Sequence, residues 1–213
     1  MKQVITATLL LFVSIFAAAQ SSDKFNSAMQ KGILMLDSAR NSEDFTANAN
    51  YFERIATAEA GEWLPKYYSA YALLMSANAG RQDNDTKDVI YDKAFDLAEK
   101  AAKIKPDNSE ILTLQGYIVF MKVSLAPQAR AMTLIPKSGA LLEKAIAIDP
   151  ENPRALLVKG QNLFYTPEAF GGGKAKAKDV LVLSLEKYGN EKAGALMPSW
   201  GKSRCEALLN QVK

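Results

Sequence analysis

Apolar residues recur at intervals of three and four along nearly the whole chain from residue 20 onward, and few stretches alternate with a period of two. This spacing is typical of amphipathic helices rather than strands. Prolines and glycines fall between the periodic runs, where they end one helix and precede the next. The pattern predicts helices near 23–40, 43–59, 63–79, 87–104, 109–124, 136–148, 153–165, 174–188 and 198–211, with a short helix near 128–133.

The middle of the chain is duplicated. Shifted by 44 residues, Leu97–Phe120 is identical to Leu141–Phe164 at 10 of 24 positions. Each copy contains a Pro-x-Asn turn, at Pro106–Asn108 and Pro150–Asn152, in which proline ends a helix and asparagine can cap the next one. A helical hairpin of this kind cannot cover its own apolar stripe, so we expect it to stack on neighbouring copies.

Small residues at fixed spacing around these turns resemble the tetratricopeptide repeat (TPR) family. The matching residues are Ala94, Ala101, Pro106 and Gly116 in one copy, and Ser138, Ala145, Pro150 and Gly160 in the next. The resemblance implies an all-α, TPR-like α-α superhelix, a right-handed helical-hairpin solenoid with a C-terminal capping helix. Insertions near 81–88 and 125–136 lengthen the period, leave a HEAT-like solenoid as an alternative, and leave open whether they cover the groove.

A closer resemblance is to exported TPR-like proteins of the Bacteroidetes type. The segments that carry it are Glu62–Ala72 and Asn152–Ala177. It implies a single repeat domain over 20–213 and export from the cytoplasm, to the periplasm or beyond, but no particular molecular activity.

The N-terminus has the pattern of a secretory signal peptide over 1–19. Lys2 precedes a short apolar run, and Ala17–Ala19 supplies the small residues of a cleavage site. An uncleaved membrane anchor is the alternative, but the apolar run is shorter than the roughly 20 residues that a spanning helix needs. We expect no membrane span after cleavage.

Composition excludes several kinds of site. The chain has no His, which removes Ser-His-Asp and Cys-His catalysis and His-based zinc sites, and its one Cys, Cys205, cannot form an internal disulfide. A formal net charge of +3 does not suggest nucleic-acid binding. The acidic run from Asp83 to Asp88 lacks the Gly and Glu of a calcium-binding EF-hand loop, so we interpret it as a solvated insertion. We expect no catalytic residues, metal or cofactor.

The TPR resemblance also implies which side chains line a concave groove. They are Glu110, Thr113, Tyr117, Phe120 and Met121 in one copy, and Arg154, Leu157, Gln161, Phe164 and Tyr165 in the next. Phe120 and Phe164 occur in both copies, so we interpret them as packing residues. Tyr117, Arg154, Gln161 and Tyr165 differ between copies and are the better candidates for specific contacts. Such a wall suits a peptide or protein partner of the cell envelope.

A second hypothesis concerns the glycine run at 171–173. Gly172, Gly173 and the lysines Lys174 and Lys178 could hold an anion at a helix N-terminus, whereas a tight turn between helices is the simpler interpretation. The hypothesis would make the protein a small-ligand or anion-binding accessory of an envelope transport system. Trp63 and Trp200 each precede a helical run, and we expect both to pack between helices rather than to contact a ligand.

Overall fold

The structure is a computed structural model and describes residues 23–192 and 194–212. The predicted signal peptide, 1–19, lies outside the described residues. The helices are α1 (23–38), α2 (Ser42–Ala58), α3 (Leu64–Ala79), α4 (Asn84–Ile104), α5 (Ser109–Val123), α6 (Pro127–Ile148), α7 (Pro153–Tyr165), α8 (Lys174–Asn190) and α9 (Lys202–Asn210), with a 3-10 turn at Glu168–Phe170. The described ranges contain no strand, so the all-α prediction is confirmed.

The duplicated turns begin helices in the way their sequence predicts. The side chain of Asn108 accepts a hydrogen bond from the backbone N–H of Ile111, and that of Asn152 accepts from Arg154 and Ala155. Each asparagine therefore satisfies N–H groups that the first turn of a helix leaves without a partner.

Helices that follow one another in the chain pack together, and α5 also contacts α3 and α7. The odd-numbered helices α3, α5 and α7 consequently lie side by side. Close approach between neighbours depends on the small residues of the repeat: the Cα of Gly116 faces Leu142, and that of Gly160 faces Leu181. Ala94, Ala101 and Ala145 have no exposed surface.

Both insertions extend helices instead of forming loops. The first lets α4 begin at Asn84, and the second is the N-terminal part of α6, which runs without a break through Pro136. The prediction of two helices, near 128–133 and 136–148, was therefore wrong. Arg130 binds Asp88 through two hydrogen bonds of 2.7 and 2.8 Å, which link the start of α6 to α4, and α6 packs along α5.

The buried apolar residues form two clusters. One is built from α1 to α5 around residues such as Phe52, Tyr67 and Leu114. The other joins α7, α8 and α9 around Leu181 and Leu208, so α9 covers the end of the helix array. Trp200, in the segment before α9, packs against both clusters.

Candidate functional site

A cavity of about 800 Å³ lies between α3, α5, α7 and the segment that leads into α9. Its walls come from parts of the chain far apart in sequence. They are Tyr71, Met75 and Asn78; Tyr117, Phe120, Met121, Val123, Ser124 and Pro127; Leu157, Val158, Gln161 and Tyr165; and the six residues from Ser199 to Arg204. Ligand sites commonly have volumes of about 300–1,000 Å³.

One side of the cavity is a group of aromatic rings held in place by Trp200. Its indole stacks on Tyr71 with ring centroids 4.7 Å apart and an interplanar angle of 18°, and lies 6.1 Å from the ring of Tyr117. The indole Nε1–H donates a 2.9 Å hydrogen bond to the hydroxyl oxygen of Tyr67. Because its polar atom is satisfied behind the wall, the ring can present apolar surface to the cavity.

Burial keeps two of the cavity phenols neutral. It raises the pKa of Tyr71 well above its ordinary value, and it raises the pKa of Tyr117 as well. Desolvation disfavours a charged phenolate, so both residues present neutral, hydrogen-bonding hydroxyl groups at ordinary pH.

Another part of the lining is polar and basic. The Arg204 guanidinium donates hydrogen bonds from Nε to Gln161 Oε1 (3.0 Å) and from Nη2 to the Tyr165 hydroxyl oxygen (2.9 Å). Lys202, the first residue of α9, lines the cavity two residues before Arg204. The lining therefore combines an aromatic surface with two cationic side chains at the start of α9.

The structure brings four of the predicted contact residues into this cavity. Tyr117, Met121, Gln161 and Tyr165 all line it. The sequence analysis missed Trp200 and Arg204, and it assigned Trp200 to packing alone. Phe120 lines the cavity although it is only 8% exposed, which combines the packing role predicted for it with contact to the cavity.

The other three predicted contact residues lie in the interior. Arg154 is 4% exposed and binds the Glu110 carboxylate through Nε and Nη2, at 2.8–3.0 Å, and also binds Glu191. Burial raises the pKa of Glu110, and the hydrogen bonds and charge of Arg154 oppose that rise. Thr113 is fully buried and donates to the carbonyl oxygen of Ser109. None of the three lines the 800 Å³ cavity; Glu110 and Arg154 instead border a separate, more polar pocket of about 530 Å³, and Thr113 lies in the core.

The glycine run forms a tight turn whose N–H groups are already used. Gly171 donates to the carbonyl of Glu168, Gly172 to that of Pro167, and Gly173 to those of Leu163 and Thr166. Added bulk at Gly172 would overlap the Thr166 carbonyl oxygen, 2.0 Å from an ideal Cβ. These contacts favour the turn interpretation.

The two lysines of that hypothesis are placed differently from an anion clamp. Lys174 lies over the ring of Phe164, 5.4 Å from its centroid, and Lys178 is exposed on α8. Neither lines the cavity.

The remaining candidates have structural contacts. Asp83 caps α4 by accepting hydrogen bonds from the backbone N–H and hydroxyl of Thr86. Trp63 precedes α3 and packs edge-on against Tyr67, with centroids 5.8 Å apart. Cys205 lies on the buried face of α9, next to the Leu181 carbonyl oxygen of α8. In the part of the chain that the structure describes, no group of three His, Cys, Asp or Glu side chains is arranged to hold a metal ion, and no helix has the length and apolar character needed to cross a membrane.

Comparison with solved structures gives an informative similarity. No protein-family model matches the sequence, and no curated protein matches it significantly. Among solved structures, the chain is similar to the HusA haemophore from Porphyromonas gingivalis, with 31% sequence identity and a TM-score of 0.80. The alignment covers 89% of this chain and 92% of HusA. Identity at this level over nearly the full length of both proteins shows common descent as well as a common fold. The chain therefore belongs to the same protein family as HusA.

Proposed function

We propose that this protein is an exported, non-enzymatic binding protein that takes up a flat, haem-type ligand in the cavity between α3, α5, α7 and Ser199–Arg204. The observation that carries the proposal is the aromatic cavity of about 800 Å³, in a chain related to a haemophore. A tetrapyrrole has two broad apolar faces, and the rings of Tyr71, Tyr117 and Trp200 offer it stacking surface. The predicted signal peptide supports export.

The side chains of the cavity lining favour contact with the ring of the ligand over coordination of a metal at its centre. The sequence has no His, and Cys205 is buried away from the cavity. Met75, Met121 and the tyrosines are the remaining lining residues of types that bind haem iron. Because burial keeps Tyr71 and Tyr117 protonated, both are poor phenolate donors. We therefore assign most of the affinity to contact with the macrocycle.

The predicted peptide or protein partner fits this surface less well. The segment before α9 already crosses the region where an extended peptide would lie: the carbonyl of Leu196 accepts a 2.9 Å hydrogen bond from Tyr68, and Trp200 stacks on Tyr71. What remains is a bounded cavity. We propose that the helix array is TPR-like, with α3, α5 and α7 lining its inner surface, and that its own C-terminal segment converts the groove into a pocket.

The test is an absorbance titration of haemin into the purified protein, with a Tyr117→Ala variant and Tyr51→Ala as control. Tyr51 lies on α2 outside the cavity. We expect saturable binding that Tyr117→Ala weakens about tenfold, the loss expected for one aromatic contact, while Tyr51→Ala does not change it. Absence of saturable binding, or equal binding by all three proteins, would refute the assignment to this cavity.

A further inference from the structure

The cavity lining has an uneven charge distribution. Two of its 19 residues, Lys202 and Arg204, are charged, and both are positive. The lining contains no carboxylate. Neither cation forms a salt bridge within the described residues, whereas Arg154, Arg130 and Lys187 all do. Two neighbouring cations at one side of an apolar cavity attract a ligand that carries negative charge on one edge.

Arg204 is held in position by neutral partners. Its Nε and Nη2 atoms bond to the side chains of Gln161 and Tyr165, and the guanidinium lies 5.9 Å from the Tyr165 ring centroid. A guanidinium has five N–H groups, so these two bonds leave others free to donate to a ligand. Since neither partner is charged, the full positive charge of Arg204 remains for the ligand.

We propose that Lys202 and Arg204 bind carboxylate groups on the edge of the ligand and so determine its class: a flat apolar ring system with acidic substituents on one side. This inference rests on the proposed function, because it takes the ligand's ring to lie against Tyr71, Tyr117 and Trp200. Haem and its metal-free parent, protoporphyrin IX, carry two propionates on the same edge and fit this description. In this arrangement the apolar faces meet the aromatic wall and the carboxylates meet the two cations.

The experiment compares protoporphyrin IX with its dimethyl ester, which has the same ring but no negative charge. Both are titrated by fluorescence, in one co-solvent mixture, into the wild type, Lys202→Gln, Arg204→Gln and the double variant. Lys178→Gln, which removes an exposed lysine outside the cavity, is the control. We expect the wild type to bind the diacid at least tenfold more tightly than the diester. Each single variant should lose about three- to tenfold of the diacid affinity, and the double variant more.

A ligand contact and a merely structural role give different results. If the cations bind carboxylates, the variants lose affinity for the diacid alone, Arg204→Lys recovers part of it, and added salt reduces the preference for the diacid. If Arg204 only supports Gln161 and Tyr165, both ligands weaken equally, and the inference is overturned. Equal wild-type affinity for diacid and diester overturns it without any variant and leaves the proposed function intact. Failure of the wild type to bind either compound refutes the proposed function itself.

Discussion

Trp200→Ala is the substitution that tests the aromatic wall of the cavity most directly. Trp200 packs against both apolar clusters, stacks on Tyr71, donates a hydrogen bond to Tyr67 and lines the cavity. A single ring thus contributes to stability and to the proposed binding surface. The two effects have different expected sizes and can be measured separately.

The stability cost comes from the contacts within the protein. The hydrogen bond to Tyr67 contributes about 1 kcal/mol, the stack on Tyr71 about 1 kcal/mol, and the lost apolar contact a similar amount. We therefore expect Trp200→Ala to lower the free energy of unfolding by about 3 kcal/mol. Trp200→Phe keeps an aromatic ring and loses the Nε1 hydrogen bond, so its cost is about 1 kcal/mol. Urea unfolding followed by circular dichroism measures both values.

The binding cost comes from the surface that the indole offers the ligand. One face of the ring covers roughly 80 Å², and at about 25 cal/mol per Å² its loss removes about 2 kcal/mol, or about 30-fold in affinity. We expect Trp200→Ala to weaken haemin binding by that factor and Trp200→Phe by about threefold. Absorbance titration in native buffer gives the dissociation constants.

Trp63→Ala is the matched control. Trp63 also precedes a helix and also contacts Tyr67, but it does not line the cavity. It should reduce stability and leave haemin affinity within about twofold of the wild type, a difference of about 0.4 kcal/mol. Equal haemin affinity of Trp200→Ala and the wild type, measured where both are folded, would refute the reasoning that the ligand contacts this wall.

Two further predictions concern the helix array. Asp88→Asn should cost about 1 kcal/mol at neutral pH, because the hydrogen bonds of Arg130 lower the pKa of Asp88 in the folded state. That contribution is present above the unfolded-state pKa of about 4 and is lost as the pH falls through the lowered folded-state pKa, so the urea midpoints of variant and wild type should approach each other as the pH falls below about 4; a constant gap would contradict the pairing. Gly160→Ala should cost about 1–3 kcal/mol, since an ideal Cβ lies 2.7 Å from the Leu181 side chain, whereas Gly139→Ala, with no atom within 4 Å, should stabilise the helix by about 0.5–1 kcal/mol. Thermal unfolding distinguishes the two, and equal effects would argue against close packing at Gly160.

The helices were largely predictable because their ends are encoded locally. Asparagine at 108 and 152, next to proline or serine, defines helix starts without reference to the rest of the fold. The exception is α6, where Pro136 suggested a break but the helix is continuous, and Arg130 near its start binds Asp88 of α4. That contact joins residues 42 apart, and a local pattern does not reveal it.

The candidate site was only partly predictable. Helix register brought out Tyr117 and Gln161, which occupy equivalent positions in the two copies of the repeat. Trp200 was missed because it reaches the cavity from a non-repeating segment. The repeat positions did not reveal that Arg154 pairs with Glu110, yet the sequence held a signal: the two are equivalent positions of adjacent repeats with opposite charges, which favours pairing between repeats.

The most direct test of the central claim is a crystal structure of the protein with bound haemin. The account predicts the macrocycle inside the cavity between α5, α7 and the segment before α9, with one face against Trp200 and Tyr117. A macrocycle bound on the outer surface of the helix array, with Trp200 still stacked beside an empty cavity, would contradict it.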